Sequence, residues 1–251
     1  MFRYLFFALF LCGSVALADS TPHRGKVLVV VTNESMLGST GTPSGIHFNE
    51  LTHPVAALRH AGFDVELASI LGGVGPIDPA TLDRADPFNK RFYNDQSWMT
   101  RLSQTKSIAT VNSKNYVGIF LVGGVSTMWD FPNSPELNSL IATVYERGGV
   151  IAAVCHGPAA LVNVKLRNGQ YLVAGKKISA FTDEEETIRG RQDVVPFLLE
   201  SRLRLLGAKF AEAEPFKYHV ISDGRLVTGQ NPASAFGVAH EMIHQLSGGK
   251  Y

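Results

Sequence analysis

Along the chain, short runs of contiguous apolar residues alternate with stretches whose apolar positions recur every three or four. Residues 26–31, Lys-Val-Leu-Val-Val-Val, form the first such run and predict a buried strand. Residues 49–61 have helical spacing and stop at Gly62, a C-cap signal. Residues 63–68 alternate like a second strand, and 116–122 predict a third that runs into Gly123-Gly124. A helix over 135–147 closes at Gly148-Gly149, and a fourth strand follows over 150–154. Gly157 opens another helix, to 163. An amphipathic helix over 194–206, a short strand over 225–228 and a closing helix over 232–246 complete the pattern. Residues 72–93, rich in Gly, Pro and Asp, read as an irregular surface excursion.

Near-continuous apolar strands alternating with helices predict an α/β fold, with a parallel sheet covered on both faces. Such folds bind ligands beyond the carboxyl ends of their strands. The loops after Val31, Val122 and Val154 are therefore where chemistry is expected.

Composition narrows the choice of partner. Of 251 residues 45% are apolar, and the net charge is +1. That suits a globular core and supplies no basic surface for nucleic acid or an anionic membrane. The first residues read as a leader. Arg3 precedes an apolar run over 4–11, and Ala16-Leu17-Ala18 is a small-residue cleavage pattern. The run is shorter than the roughly 20 residues that span a bilayer. Residues 1–18 are thus expected to be a signal peptide, and 19–251 a single domain, periplasmic or secreted and free of the membrane. Cleavage would remove Cys12 and leave Cys155 as a lone thiol, unable to form an internal disulfide.

The segment Val150-Ile-Ala-Ala-Val-Cys-His-Gly-Pro-Ala-Ala-Leu161 carries the most chemical information. A strand runs into Cys155, small residues flank it at Ala153 and Gly157, and Pro158 suits a helix's first turn. The arrangement matches a nucleophile elbow with cysteine in place of serine. A helix N-terminus beside the sulfur predicts a stabilised thiolate. His156 can orient the thiol or shuttle its proton. Residues 182–186, Thr-Asp-Glu-Glu-Glu, read as a helix start capped by Thr182 or Asp183, and any of the acids could reach His156. Glu50, early in the first helix, would point at the cysteine turn if that helix opens at the sheet's carboxyl edge. There it would act as a general acid/base with a raised pKa. Gly123 and Gly124 are candidate oxyanion donors.

These motifs resemble the DJ-1/PfpI superfamily, and more closely its Hsp31-like, glutathione-independent glyoxalase branch. Ala-Val-Cys155-His156-Gly-Pro is similar to its cysteine elbow, and Gly45-Ile-His-Phe-Asn-Glu50-Leu-Thr-His-Pro54 to its glutamate segment. Gly123-Gly124 with Thr127-Met-Trp-Asp-Phe-Pro132, residues 180–186, and Asp223 to Ser234 resemble its glycine loop, acidic segment and closing motif. The resemblance implies a flavodoxin-like, doubly wound fold of the class I glutamine amidotransferase kind, and a Cys155, His156, Glu186 triad with Glu50 beside the thiol. It implies glyoxalase chemistry on an aldehyde such as methylglyoxal without metal or cofactor, and a homodimer. Glutamine amidotransfer is not expected, because no synthetase domain accompanies the chain. A stress-response holdase, a cysteine redox sensor and a cysteine peptidase or esterase are the alternative functions. Relatives often carry Gly-Gly-His-Gly where this chain has Gly123-Gly124-Val125-Ser126, a change expected to make the pocket less polar.

Overall fold

The computed structural model describes residues 24–249, so the leader over 1–18 and Cys12 lie outside the described residues. The strands are β1 Lys26–Val31, β2 Asp64–Ser69, β3 Lys106–Ser107, β4 Gly118–Leu121, β5 Val150–Val154, β6 Lys177–Ile178, β7 Lys209–Phe210, β8 Val220–Asp223 and β9 Leu226–Gly229. Seven form one sheet in the order β3-β2-β1-β4-β5-β9-β8, and β6 pairs with β7 apart from it. Every pairing is parallel except β8 with β9. The helices are α1 Phe48–His60, α2 Pro87–Asn94, α3 Gln96–Ser103, α4 Thr127–Asp130, α5 Pro135–Glu146, α6 Asp183–Ile188, α7 Leu199–Leu205 and α8 Ala235–Leu246. Among the described residues no helix is long and apolar enough to cross a membrane.

The central strands are apolar at consecutive positions because both sheet faces are covered. Leu28, Val30, Ile119, Leu121, Ile151 and Ala153 face a core closed by Leu137 and Ile141 of α5. The alternate residues Val27, Val29, Val31, Phe120, Ala152 and Val154 face Leu51 and Leu58 of α1 and Val238 and Met242 of α8. This is the two-residue period of a strand with hydrocarbon on either side. Each of the valine, leucine, isoleucine and phenylalanine side chains among them contributes about 1.5–3 kcal/mol on burial.

Three expectations need correction. The helix expected over 194–206 is only α7, Leu199–Leu205. Pro196 contributes to the loss, since its ring disfavours helical geometry at the preceding Val195. The helix expected over 157–163 is a five-residue 3-10 turn, Gly157–Leu161. The excursion over 72–93 ends in α2, whose start is fixed by Pro87 and by Asp86, which accepts from the Phe88 and Asn89 N–H groups.

Candidate active site

β1, β4 and β5 lie side by side and point the same way, which gathers the loops after them at one edge. Cys155 is the first residue beyond β5 and adopts φ 59°, a left-handed conformation uncommon for a residue with a side chain. The strain is held in place from both sides. The Cys155 N–H donates to the Gly229 carbonyl at 2.9 Å, and the Phe181 N–H donates to the Cys155 carbonyl at 2.9 Å. The turn needs glycine at 157, where a Cβ would sit 2.4 Å from the Leu121 carbonyl oxygen.

His156 Nδ1 lies 3.3 Å from Cys155 Sγ, and its Nε2 lies 2.7 Å from Glu186 Oε2. The imidazole stacks on Phe181 with ring centres 4.3 Å apart. Cys155, His156 and Glu186 are all buried. Glu186 is presented by α6, whose first turn is set by a capping box. Thr182 Oγ1 accepts from Glu185 N–H, and Glu185 accepts from Thr182 N–H. Glu185 also accepts from Phe216 N–H and Asn231 Nδ2, and Glu184 is exposed. Of the acids that the sequence left open, Glu186 is the one against His156.

Glu50 stands in the first turn of α1, fully buried. A Cβ added to Gly123 would lie 2.2 Å from Glu50 Oε2 and 3.0 Å from Cys155 Cβ, so the carboxyl sits between the glycine loop and the elbow. Neither of its oxygens makes a hydrogen bond of regular geometry. Burial therefore raises its pKa well above the ordinary value, opposed only by the nearby thiol and the Gly123 N–H. Burial also pushes the Cys155 thiol up, helped by the neighbouring carboxylates of Glu50 and Glu185 and opposed by the His156 N–H. The thiolate expected from a helix N-terminus is thus not supplied by that terminus. A five-residue 3-10 turn carries little dipole, and desolvation outweighs it. Cys155 and Glu50 instead compete for protons at close range.

Gly124 adopts φ 113° and packs against Gly45 and His47, where a Cβ would lie 2.3 Å from the Gly45 oxygen. Thr127 Oγ1 bonds the carbonyls of Gly124 and His156, fastening the glycine loop to the elbow. Gly124 lines the cleft over Cys155, whereas Gly123 lies behind it against Glu50. The cleft measures about 170 Å³ and is also bordered by His47, Asp78, Thr81, Val125, Phe181, Arg189 and Arg191. Val125 presents an apolar side chain there. A larger groove of about 690 Å³, over Lys26, Glu66 and Trp98, lies away from the cysteine.

Sequence reasoning assigned no role to His47, Arg189 or Arg191. His47 precedes α1, and its Nδ1 is 3.7 Å from Glu50 Oε1. Burial, and then the positive charge of Arg189, lowers its pKa to about 4, so it is neutral at pH 7. The available signal was its place three residues before Glu50.

A strained cysteine at a strand-to-helix turn, a histidine against its sulfur and a carboxylate behind the histidine define a cysteine-elbow protein on a mostly parallel α/β sheet. The chain belongs to the DJ-1/PfpI family, whose pattern it matches over residues 42–245. It is 34% identical over 235 residues to the glutathione-independent glyoxalase HSP31 of Saccharomyces cerevisiae, covering 88% of this chain and 98% of that one. The crystal structure of glyoxalase III from Candida albicans superposes with a TM-score of 0.81 at 32% identity, over 88% of this chain and 97% of that one. The Rapid Encystment Protein 24 KDa of Francisella tularensis superposes with a TM-score of 0.86 at 38% identity, over 88% and 99% of the respective chains. The flavodoxin-like, mostly parallel fold is thereby shared with the family.

Proposed function

We propose that this protein is a glutathione-independent glyoxalase that converts a small 2-oxoaldehyde, such as methylglyoxal, into its 2-hydroxy acid. The reading is carried by the line Cys155 Sγ, His156, Glu186, with buried Glu50 beside the same elbow. Relatives named as glyoxalases that align over nearly their whole length support it.

His156 takes the thiol proton on Nδ1 while Glu186 holds a proton on Nε2, fixing the tautomer that can accept. The sulfur then bonds to the aldehyde carbon. The carbonyl π pair moves to oxygen, which takes the proton of Glu50 and leaves a carboxylate. That carboxylate removes the hydrogen of the same carbon while protonated His156 gives its proton to the neighbouring carbonyl oxygen, which yields an enediol. Glu50 then returns the hydrogen to the neighbouring carbon as the first hydroxyl passes its proton back to His156 and the thioester forms. Water adds to the thioester, the carbon–sulfur bond breaks and sulfur regains a proton. The sum is aldehyde plus one water to 2-hydroxy acid, one carbon oxidised and its neighbour reduced. A raised pKa makes Glu50 both a proton donor near neutrality and a strong base once ionised. The Gly124 loop at the cleft is the candidate support for the oxyanion.

A cleft of about 170 Å³ suits a few-carbon carbonyl compound better than an extended peptide, which favours this reading over a peptidase. Formation of 2-hydroxy acid from methylglyoxal tests the proposal. Cys155→Ala should lower kcat/KM by more than about 10³-fold, and persistent turnover in that variant would overturn it.

A further inference from the structure

Two guanidinium groups border the Cys155 cleft, and neither is neutralised by a carboxylate among the described residues. Arg189 caps the C-terminus of α6, and Arg191 follows after Gly190, whose φ is 66°. Arg189 is held by an aromatic face, its Cζ 5.0 Å from the ring centre of Phe216. Phe216 leans on Phe181 with centres 6.1 Å apart, and Phe181 stacks on His156. The stack fixes where Arg189 stands while leaving its N–H groups for a ligand. The nearby acids are engaged elsewhere. Asp183 accepts from Ser201, Glu185 closes the capping box and Glu186 holds His156. Asp78, the one carboxylate among the cleft-lining residues, accepts from Ala80 N–H and the Ser44 hydroxyl. Arg189 also helps keep His47, another cleft residue, neutral.

We propose that Arg189 and Arg191 form an anion subsite at the Cys155 cleft, and that the substrate is a 2-oxoaldehyde carrying a carboxylate or phosphate on its far end. A planar guanidinium recognises either group through paired N–H donors. A cleft walled by protein focuses the two charges and raises the local concentration of anions. The substrate assignment rests on the glyoxalase reading, whereas the anion subsite stands without it.

Alkylation of Cys155 tests the subsite independently of turnover. Iodoacetate and iodoacetamide differ by one charge and little in size; each forms a carbon–sulfur bond as iodide leaves. The ratio of their rate constants at the same thiol is internally controlled for folding and for thiol ionisation. R189Q/R191Q should lower the iodoacetate to iodoacetamide ratio on the order of tenfold. R189K/R191K, which keeps the charges, should hold it near the wild-type value. Arg191 has no side-chain partner to lose among the described residues, so R191Q alone provides a second variant and should lower the ratio in the same direction. A ratio unmoved by R189Q/R191Q and R191Q overturns the subsite. Protection of wild-type Cys155 from iodoacetamide by succinate supports the carboxylate form of the subsite, and protection by inorganic phosphate the phosphate form. The substrate assignment is read from kcat/KM on 4,5-dioxopentanoate against methylglyoxal, a preference that R189Q/R191Q should erase. If the alkylation ratio falls but that preference is absent, the substrate assignment is overturned and the subsite kept. Turnover of neither aldehyde by the wild-type protein would instead overturn the glyoxalase reading.

Discussion

Cys155 sits at φ 59° because Gly229 holds its N–H and Phe181 its carbonyl, and that conformation turns the sulfur toward His156. A left-handed residue with a side chain costs on the order of 1–3 kcal/mol, a strain tolerated where the surroundings leave no alternative. The ionisation of the sulfur is set first by burial and then by the carboxylates beside it. Glu50 raises the thiol's demand for a proton, whereas the thiol's hydrogen bond lowers that of the carboxyl, whose own rise comes from burial. Replacing Glu50 with Gln removes one competitor and one negative charge, so the thiol pKa should fall. Iodoacetamide labelling of E50Q followed against pH should have its midpoint at lower pH than the wild type, while kcat/KM falls about 10²–10⁴-fold. An unshifted labelling midpoint would mean that the carboxyl does not act on the thiol. Residue types alone marked Cys155, His156 and Glu50, because a thiol at a strand end and an acid in a helix's first turn are local signals. The direction of the thiol's titration was not local. It depends on total burial and on carboxylates some 105 residues upstream and 30 downstream in sequence. His47, Arg189 and Arg191 were missed for the same reason, since only the folded cleft brings them to Cys155.

The central elements were legible wherever burial is two-sided. The predicted strand over 150–154 is β5 to the residue, and 26–31 is β1. Periodicity failed where a proline works against it, as Pro196 does ahead of α7. It also failed for the edge. β8 has a half-buried pattern, and its two-residue Gly224-Arg225 connection to β9 makes an antiparallel hairpin inside a sequence that otherwise reads as crossovers. The elbow itself is an element-level device. β5 can turn sharply because Gly157 packs directly on the Leu121 carbonyl at the end of β4. In Gly157→Ala the new methyl group meets backbone, which cannot rotate away. The variant should lose roughly 1–3 kcal/mol in urea unfolding. Its turnover should fall more than about tenfold, because a small displacement of the sulfur spoils alignment with His156. Retention of both stability and activity would show that the turn has room that the geometry denies.

At the scale of the molecule, Asp130 makes a buried junction between separate parts of the chain, and its charge state should be visible in global stability. Asp130 in α4 accepts from Thr32 Oγ1 and from the Asn33 N–H, both at 2.8 Å, joining the segment after β1 to the one after β4. Its other oxygen has no hydrogen bond. Burial, with a contribution from Glu34, pushes its pKa up to about 7, against the pull of the Asn33 and Thr32 donors. Below the unfolded carboxyl's value near 3.8 both states are protonated, and the contribution to stability is fully present. Between there and about pH 7 the folded state binds the proton and the unfolded state does not, so stability falls as pH rises. Buried Glu50 adds a slope of the same sign, and His47, lowered to about 4, adds the opposite slope up to its ordinary 6.5. A wild-type profile alone would mix the three. Asp130→Asn isolates one of them, because the amide oxygen still accepts from Thr32 and Asn33 and does not titrate. The unfolding free energy of wild type minus that of D130N, from urea titrations at pH 4.5, 6 and 7.5, should decline steadily across the series. The shift sets a ceiling of about 4 kcal/mol, and a measured decline near half of that is expected after relaxation of the site. A difference that stays flat with pH would mean that Asp130 is already ionised in the folded protein and that water reaches its buried junction.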